Sequence, residues 1–261
     1  MQAAFLTTVL LATLAVPALA QDWRDNCRHE AQRAANVDAA SARRLVVEAG
    51  SGSLKIVGKP GISRVTVRGR ACASSNERLE RITLQTRRDG NDVVVHANIQ
   101  SNRDWGYEEN SYARLDVEIE VPARMAAEIN DGSGDIELSN LGAVVIEDGS
   151  GEIVADNLNG DVDIDDGSGE IRLIDVAGRV KIEDGSGEIT LRNVGGLVEI
   201  DDASGEIDVR VARNSVRISD SSGGIDVSDV DGDFIVMDDS SGGIDYDNVK
   251  GRVDIPRRKR R

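Results

Sequence analysis

The sequence predicts an all-β protein: a parallel β-solenoid of about seven 18-residue rungs behind an N-terminal β cap region. Three observations carry this reading. Ser-Gly pairs begin at Ser133, Ser150, Ser168, Ser186, Ser204, Ser222 and Ser241, at steps of 17, 18, 18, 18, 18 and 19 residues. Aligned at that period, the fourth position of every unit is isoleucine: Ile136, Ile153, Ile171, Ile189, Ile207, Ile225 and Ile244. Each unit also holds two stretches of strict alternation, such as Ile189-x-Leu191 and Val198-x-Ile200, separated by Gly, Asn and Asp. Alternation at period two is the mark of a strand, and the separating residues make turns. A unit this short cannot bury its apolar face alone. Identical units can stack, so that each column becomes a ladder about 4.8 Å in repeat along a continuous core. A meander of antiparallel hairpins would alternate too, but gives no reason for columns of one residue type. A hexapeptide helix has the right coil length but needs a small aliphatic residue at every sixth position, and the spacings here are 2, 3, 4 and 2.

Taken in order, the chain opens with an apolar run from Phe5 to Val16, followed by Pro17-Ala18-Leu19-Ala20. An apolar segment ending in Ala-x-Ala predicts a secretory signal peptide over residues 1–20. The run is short for a membrane span, and Gln21, not a cysteine, stands directly after the cleavage site. The expected destination is the periplasm, the cell envelope or the exterior. Residues 21–130 read as the cap and diverged first rungs. Their Ala- and Arg-rich start, residues 24–36, suggests a short helix. Cys27 and Cys72 are the only two cysteines, and in an exported chain they predict one disulfide. Leu45-Val46-Val47, the turn Ser51-Gly52 and Leu54-Lys55-Ile56 match a later rung, with Val65-Thr66-Val67 in the place of the second strand. Arg87 to Asp92, centred on Asp89-Gly90, predicts a hairpin turn. His96 falls on the polar face of its strand and is expected to be exposed. Residues 131–256 are the regular repeats, and residues 257–261 a basic tail.

The opening strand with Gly50-Ser51-Gly52, the strand end Val117-x-Ile119-x-Val121-Pro122 and the tandem Gly-x-Ile-x-Leu and Gly-x-Val-x-Ile units resemble the bacterial β-strand-repeat adhesin-type family, a domain of unknown function. The resemblance spans roughly residues 42–256. It implies an exported or envelope-associated β-solenoid and brings no catalytic or binding residues with it.

Charge divides the chain into three zones. Residues 21–130 carry 17 Lys/Arg against 16 Asp/Glu, residues 131–256 carry 9 against 31, and the tail adds five positive charges. So acidic a body argues against nucleic acid as a partner. Enzymatic chemistry finds little support: no histidine follows His96, the repeated serines have no base beside them, and a repeated ladder offers no unique cleft. An acidic column runs through one turn: Asp131, Asp148, Asp166, Asp184, Asp202, Asp220 and Asp238. Glu152, Glu170, Glu188 and Glu206 line the other side of that turn. These aspartates are expected to splay into solvent while bonding turn amides. No cofactor is expected. The alternative is that Ca²⁺, which takes carboxylate oxygens at flexible turns, neutralises the column.

A second polar column, Asn140, Asn157, Asp175, Asn193, Asp229 and Asn248, reads as a rung-to-rung amide ladder. It breaks at Val211, where Arg213-Asn214-Ser215 suggests a differently shaped turn. Aromatic residues are scarce, yet Trp105, Tyr107 and Tyr112 cluster in one loop. That loop either recognises a partner or packs on the cap. The tail, Arg257, Arg258, Lys259, Arg260 and Arg261, suits peripheral contact with an anionic membrane. The function expected is a non-enzymatic envelope or secreted scaffold that binds a surface protein or glycan. The competing reading is a solenoid enzyme acting on a polysaccharide.

Overall fold

The computed structural model describes residues 27–100 and 111–256. Residues 1–20, where a signal peptide is expected, Trp105, Tyr107 and the basic tail lie outside the described residues.

The N-terminal part holds seven strands, β1 (His29–Asp38), β2 (Arg44–Glu48), β3 (Leu54–Lys59), β4 (Arg64–Ala73), β5 (Ile82–Asp89), β6 (Asp92–Ile99) and β7 (Ala113–Pro122). One short helix, α1 (Asn76–Glu80), lies between β4 and β5, with the Ser75 side chain accepting from the Arg78 amide. The repeats follow as β8 (Ala126–Asp131), β9 (Ile136–Ser139), β10 (Val144–Asp148), β11 (Ile153–Leu158), β12 (Val162–Asp166), β13 (Ile171–Val176) and β14 (Val180–Asp184). They continue as β15 (Ile189–Val194), β16 (Val198–Asp202), β17 (Ile207–Ala212), β18 (Val216–Ser222), β19 (Ile225–Val230), β20 (Phe234–Ser241), β21 (Ile244–Val249) and β22 (Val253–Asp254).

From β8 onward the chain alternates between two sheets. Odd-numbered strands build one sheet and even-numbered strands the other, and all pair in parallel with the rung before and after. The register follows the columns: Ile153, Ile171, Ile189, Ile207, Ile225 and Ile244 are direct neighbours, as are Val162, Val180, Val198 and Val216. Ile171, Ile189 and Ile207 are fully buried. The inward residues of both sheets meet in a single aliphatic core. Parallel sheets of this kind give up about 25 cal/mol for each Å² of apolar area left in water, and the stack leaves little exposed until its last rung. There Ile244, Val249 and Val253 are half-buried and Tyr246 is 51% exposed. Phe234 packs beneath Tyr246, ring centres 6.0 Å apart.

The turn glycines explain themselves by the same stacking. Gly187 has φ 153°, and a Cβ on it would overlap the carbonyl oxygen of Gly169 in the adjoining rung. Any side chain there would push the rungs apart.

The N-terminal region departs from the expected order. Strands β2 and β3 form a rung that stacks directly on β8 and β9, pairing Val47 with Ile129 and Ile56 with Leu138. Strands β6 and β7 form another rung on the far side of it. The segment between the two rungs does not continue the coil. Val65-Thr66-Val67 lies in β4, which runs antiparallel to β7 in the odd-strand sheet instead of supplying the next even strand. Residues 29–38 are a strand, not a helix: β1 pairs antiparallel with β4 over ten residues, His29 opposite Ala73 through Asp38 opposite Arg64. The edge of β4 needs hydrogen-bond partners, and pairing satisfies both segments where a helix would leave that edge open. The hairpin is as expected, β5 to β6 turning through Gly90. Strands β1, β4 and β5 therefore cap the first rung. Among the described residues no helix is long and apolar enough to cross a membrane.

Candidate functional site

The cysteines come together. Cys27 and Cys72 form a disulfide with Cα atoms 5.6 Å apart, joining the start of β1 to the end of β4. Beside it, the Tyr112 hydroxyl accepts from the Arg28 amide at 2.9 Å, and its backbone exchanges hydrogen bonds with Ser74. Tyr112 is half-buried and serves the cap.

The acidic column faces inward, against expectation. Asp148, Asp166, Asp184, Asp202 and Asp220 are direct neighbours at the ends of β10, β12, β14, β16 and β18, with Asp131 below on β8. All six are buried, Asp202 to 1% exposure. The column continues through Asp239, because a register shift between Ile218 and Ser219 pairs Asp238 with Ser219 and turns Asp238 out to solvent. In each of four turns one carboxylate oxygen accepts the amide two residues on: Ser168, Ser186, Ser204 and Ser222 bond to Asp166, Asp184, Asp202 and Asp220 at 2.9–3.2 Å. The second oxygen of each of these four is buried without a partner. Burial pushes the Asp131 carboxyl up to about 7 and those of Asp166 and Asp202 to about 6, with the neighbouring aspartates adding to the rise and the turn amides opposing it. Asp148, Asp184 and Asp220 shift upward for the same first reason. Among the described residues no group of three or more His, Cys, Asp or Glu is arranged to hold a metal ion.

The amide ladder forms, and Val211 does not break its shape. Asn140, Asn157, Asp175, Asn193, Val211, Asp229 and Asn248 all take left-handed backbone angles, φ 51° to 63°. Asn157 donates to Asn140 at 2.7 Å, and Asn193 and Asn248 donate to Asp175 and Asp229. Val211 adopts the conformation of its neighbours without their side-chain bond, and is 40% exposed.

An open groove of about 1050 Å³ lies on the outer face of the even-strand sheet, lined by residues of β2, β5, β6, β8 and β10. Its floor is two outward rows. One runs His96, Glu48, Asn130 and Glu147 from β6 to β10; the other runs Val46, Glu128 and Val145. His96 is not a free surface residue: Nδ1 lies 2.7 Å from Glu48, and the Arg87 guanidinium lies 2.9 Å from Nε2. Arg44 spans Asp92 and Glu128 at 2.6 and 2.5 Å, and the Asn130 amide donates to Glu147 at 2.9 Å. These partners fix long side chains before any ligand arrives, which lowers the ordering cost of binding. The groove strand β6 ends at Ile99; Trp105 and Tyr107 follow it in sequence. Sequence reasoning missed the groove because its rows come from strands far apart in the chain.

A stacked two-sheet solenoid with a disulfide-tied β cap, an aliphatic interior and polar outer faces is a β-repeat protein. The chain belongs to the Toastrack DUF4097 family, whose sequence profile matches residues 42–251. Solved structures with which it shares likeness include a "putative cell adhesion protein" from Clostridium sporogenes, 15% identical, covering 84% of this chain and 99% of that one, TM-score 0.40. A "putative lipid binding protein" from Parabacteroides distasonis is 16% identical over 85% of this chain and 96% of its own, TM-score 0.44. A "putative adhesin" from Bacteroides fragilis is 12% identical over 86% and 97%, TM-score 0.36. The search of curated proteins found no match.

Proposed function

We propose that this protein is an exported, non-enzymatic β-solenoid of the envelope or exterior that binds a surface partner, protein or glycan, along the even-strand groove. The observation that carries this reading is the pre-organised polar floor of Glu48, His96, Arg87, Asn130 and Glu147. Planar amide, carboxylate and guanidinium groups at fixed positions suit the hydroxyl and amide groups of a glycan or an extended peptide. An enzyme acting on a polysaccharide would need one carboxyl held protonated as a general acid beside a second, ionised one. In the groove Glu48 pairs with His96 and Glu128 with Arg44, so neither carboxyl stands free beside a second one.

The test is binding of the mature chain to envelope fractions and to a glycan array, with Arg87→Glu and Glu48→Lys as groove variants. The reading predicts binding that both variants reduce at least tenfold with an unchanged melting temperature. Turnover of a glycan that is lost on substituting Glu48, Glu128 or Glu147 would establish the enzyme instead.

A further inference from the structure

We propose that the buried aspartate column is a proton-binding ladder, in which neighbouring carboxyls share protons along the stack and tighten the solenoid as pH falls. Three observations meet here. The carboxyls are in register from rung to rung. Asp166, Asp184, Asp202 and Asp220 are more than nine-tenths buried. Each keeps one oxygen on a turn amide and one without a partner. A buried acceptor left unmade costs about 1–3 kcal/mol, and more when charged. A proton removes that cost twice, by neutralising one carboxyl and by giving it a donor for the next. The spacing allows it: a carboxyl turned along the stack has its neighbour one rung, about 4.8 Å, away, within reach of a short O–H···O⁻ bond between facing oxygens.

Among the described residues no cation competes for the column. The groups acting on these carboxyls are one another and the turn amides, with no Arg, Lys or His of the described residues among them. Across each turn stand Glu152, Glu170, Glu188 and Glu206, exposed or half-buried; Arg172 engages Glu170 and the Thr190 hydroxyl donates to Glu188. On the same strands Asp165, Glu183 and Asp201 point outward and are exposed. The direction of the effect follows from proton linkage. The folded column holds protons more tightly than an unfolded aspartate does. Its contribution is full below the unfolded value of 3.8 and fades as pH rises through the folded values of about 6 to 7. The opposite shift affects Glu30, Asp92 and Asp231, each held low first by a hydrogen bond from Arg70, Arg44 or Lys250. Those pairs lose their contribution only as pH falls through the ordinary carboxylate range, so between pH 8 and pH 5 they hold steady while the column gains.

The experiment is thermal unfolding of the mature chain at pH 5 and pH 8, in wild type, in Asp166→Asn/Asp202→Asn and in Asp165→Asn/Asp201→Asn. The two double variants remove equal charge, one pair inward and the other outward. The proposal predicts a higher melting temperature at pH 5 than at pH 8 in wild type. The inward variant melts higher than wild type at pH 8, because its amides supply donors, and shows a smaller rise on acidification. The outward variant keeps the wild-type rise. Three results would overturn the proposal: no rise in wild type, equal flattening by the outward pair, or a rise abolished by Ca²⁺ that raises the melting temperature at pH 8. The last would make the column a cation site. Should the inward variant fail to fold, carboxyl ¹³C titration of wild type decides, since ordinary aspartate values throughout would contradict a shared-proton ladder.

Discussion

The repeats and the cap solve one problem, the burial of aliphatic strands, in different ways. In the repeats every strand finds its neighbours one rung away, so sequence distance and spatial distance advance together. Burial is near complete, and the same residue type meets itself up the stack. In the cap the chain leaves the coil after β3, runs β4 antiparallel, and returns through β5 to place β6 and β7 behind the rung it made first. Its outermost strand β1 buries none of its ten residues fully and is held by pairing, by Tyr112 and by the disulfide. A stack can be extended by copying, whereas its end must be closed by a different solution, because a copied end would still expose an edge.

The contrast is broken most severely by a charge in the repeat core. Ile189→Asp places an unpaired carboxylate between Ile171 and Ile207 and is expected to unfold the rungs on both sides. The milder Ile189→Ala should cost about 2–5 kcal/mol through lost burial and the cavity left behind. Urea denaturation measures both; an unchanged midpoint for the Asp variant would mean that the column faces water. In the cap, Cys27→Ser with Cys72→Ser should cost about 2–4 kcal/mol, and the loss should be local. Hydrogen exchange is expected to quicken across residues 29–38 while β11 to β19 keep their protection. Equal quickening in both regions would show that cap and stack unfold as one. The smallest effect is a gain. Val211 holds a left-handed conformation that costs a β-branched residue about 1–2 kcal/mol, so Val211→Asn should stabilise by about 1 kcal/mol and close the amide ladder between Asn193 and Asp229. A lower melting temperature for this variant would mean that the valine packs usefully where it stands.

Much of the repeat region was legible because its signal is redundant: seven copies of one pattern fix strand positions, register and core. The cap was less legible because each of its pairings occurs once. The alanines and arginines before Asn36 favour a helix in isolation, but the edge of β4 and the disulfide draw them into a strand, a tertiary demand that local propensity does not encode. The direction of the aspartate column was written in the sequence and outweighed by expectation about charge. Val162, Ile164 and Asp166 lie two apart, so alternation puts all three on one face, and the structure buries all three. The single 19-residue step likewise marked the extra residue that turns Asp238 outward and Asp239 inward. Val211 misled in the other direction: the side chain changes while the backbone does not, and a residue pattern reports only the former.

One rung per repeat is tested most directly by removing one rung. Deleting residues 186–203 takes out β15 and β16 and joins Gly185 to Ser204, so that β14 meets β18 and β13 meets β17 in unbroken register. The shortened chain is predicted to fold, to unfold cooperatively and to keep its strand signature by circular dichroism. Deleting only residues 186–194 removes β15 alone, sends every later strand to the wrong sheet and is predicted to abolish cooperative unfolding of the repeats. If the 18-residue deletion is as disruptive as the nine-residue one, the units are not interchangeable rungs of a solenoid.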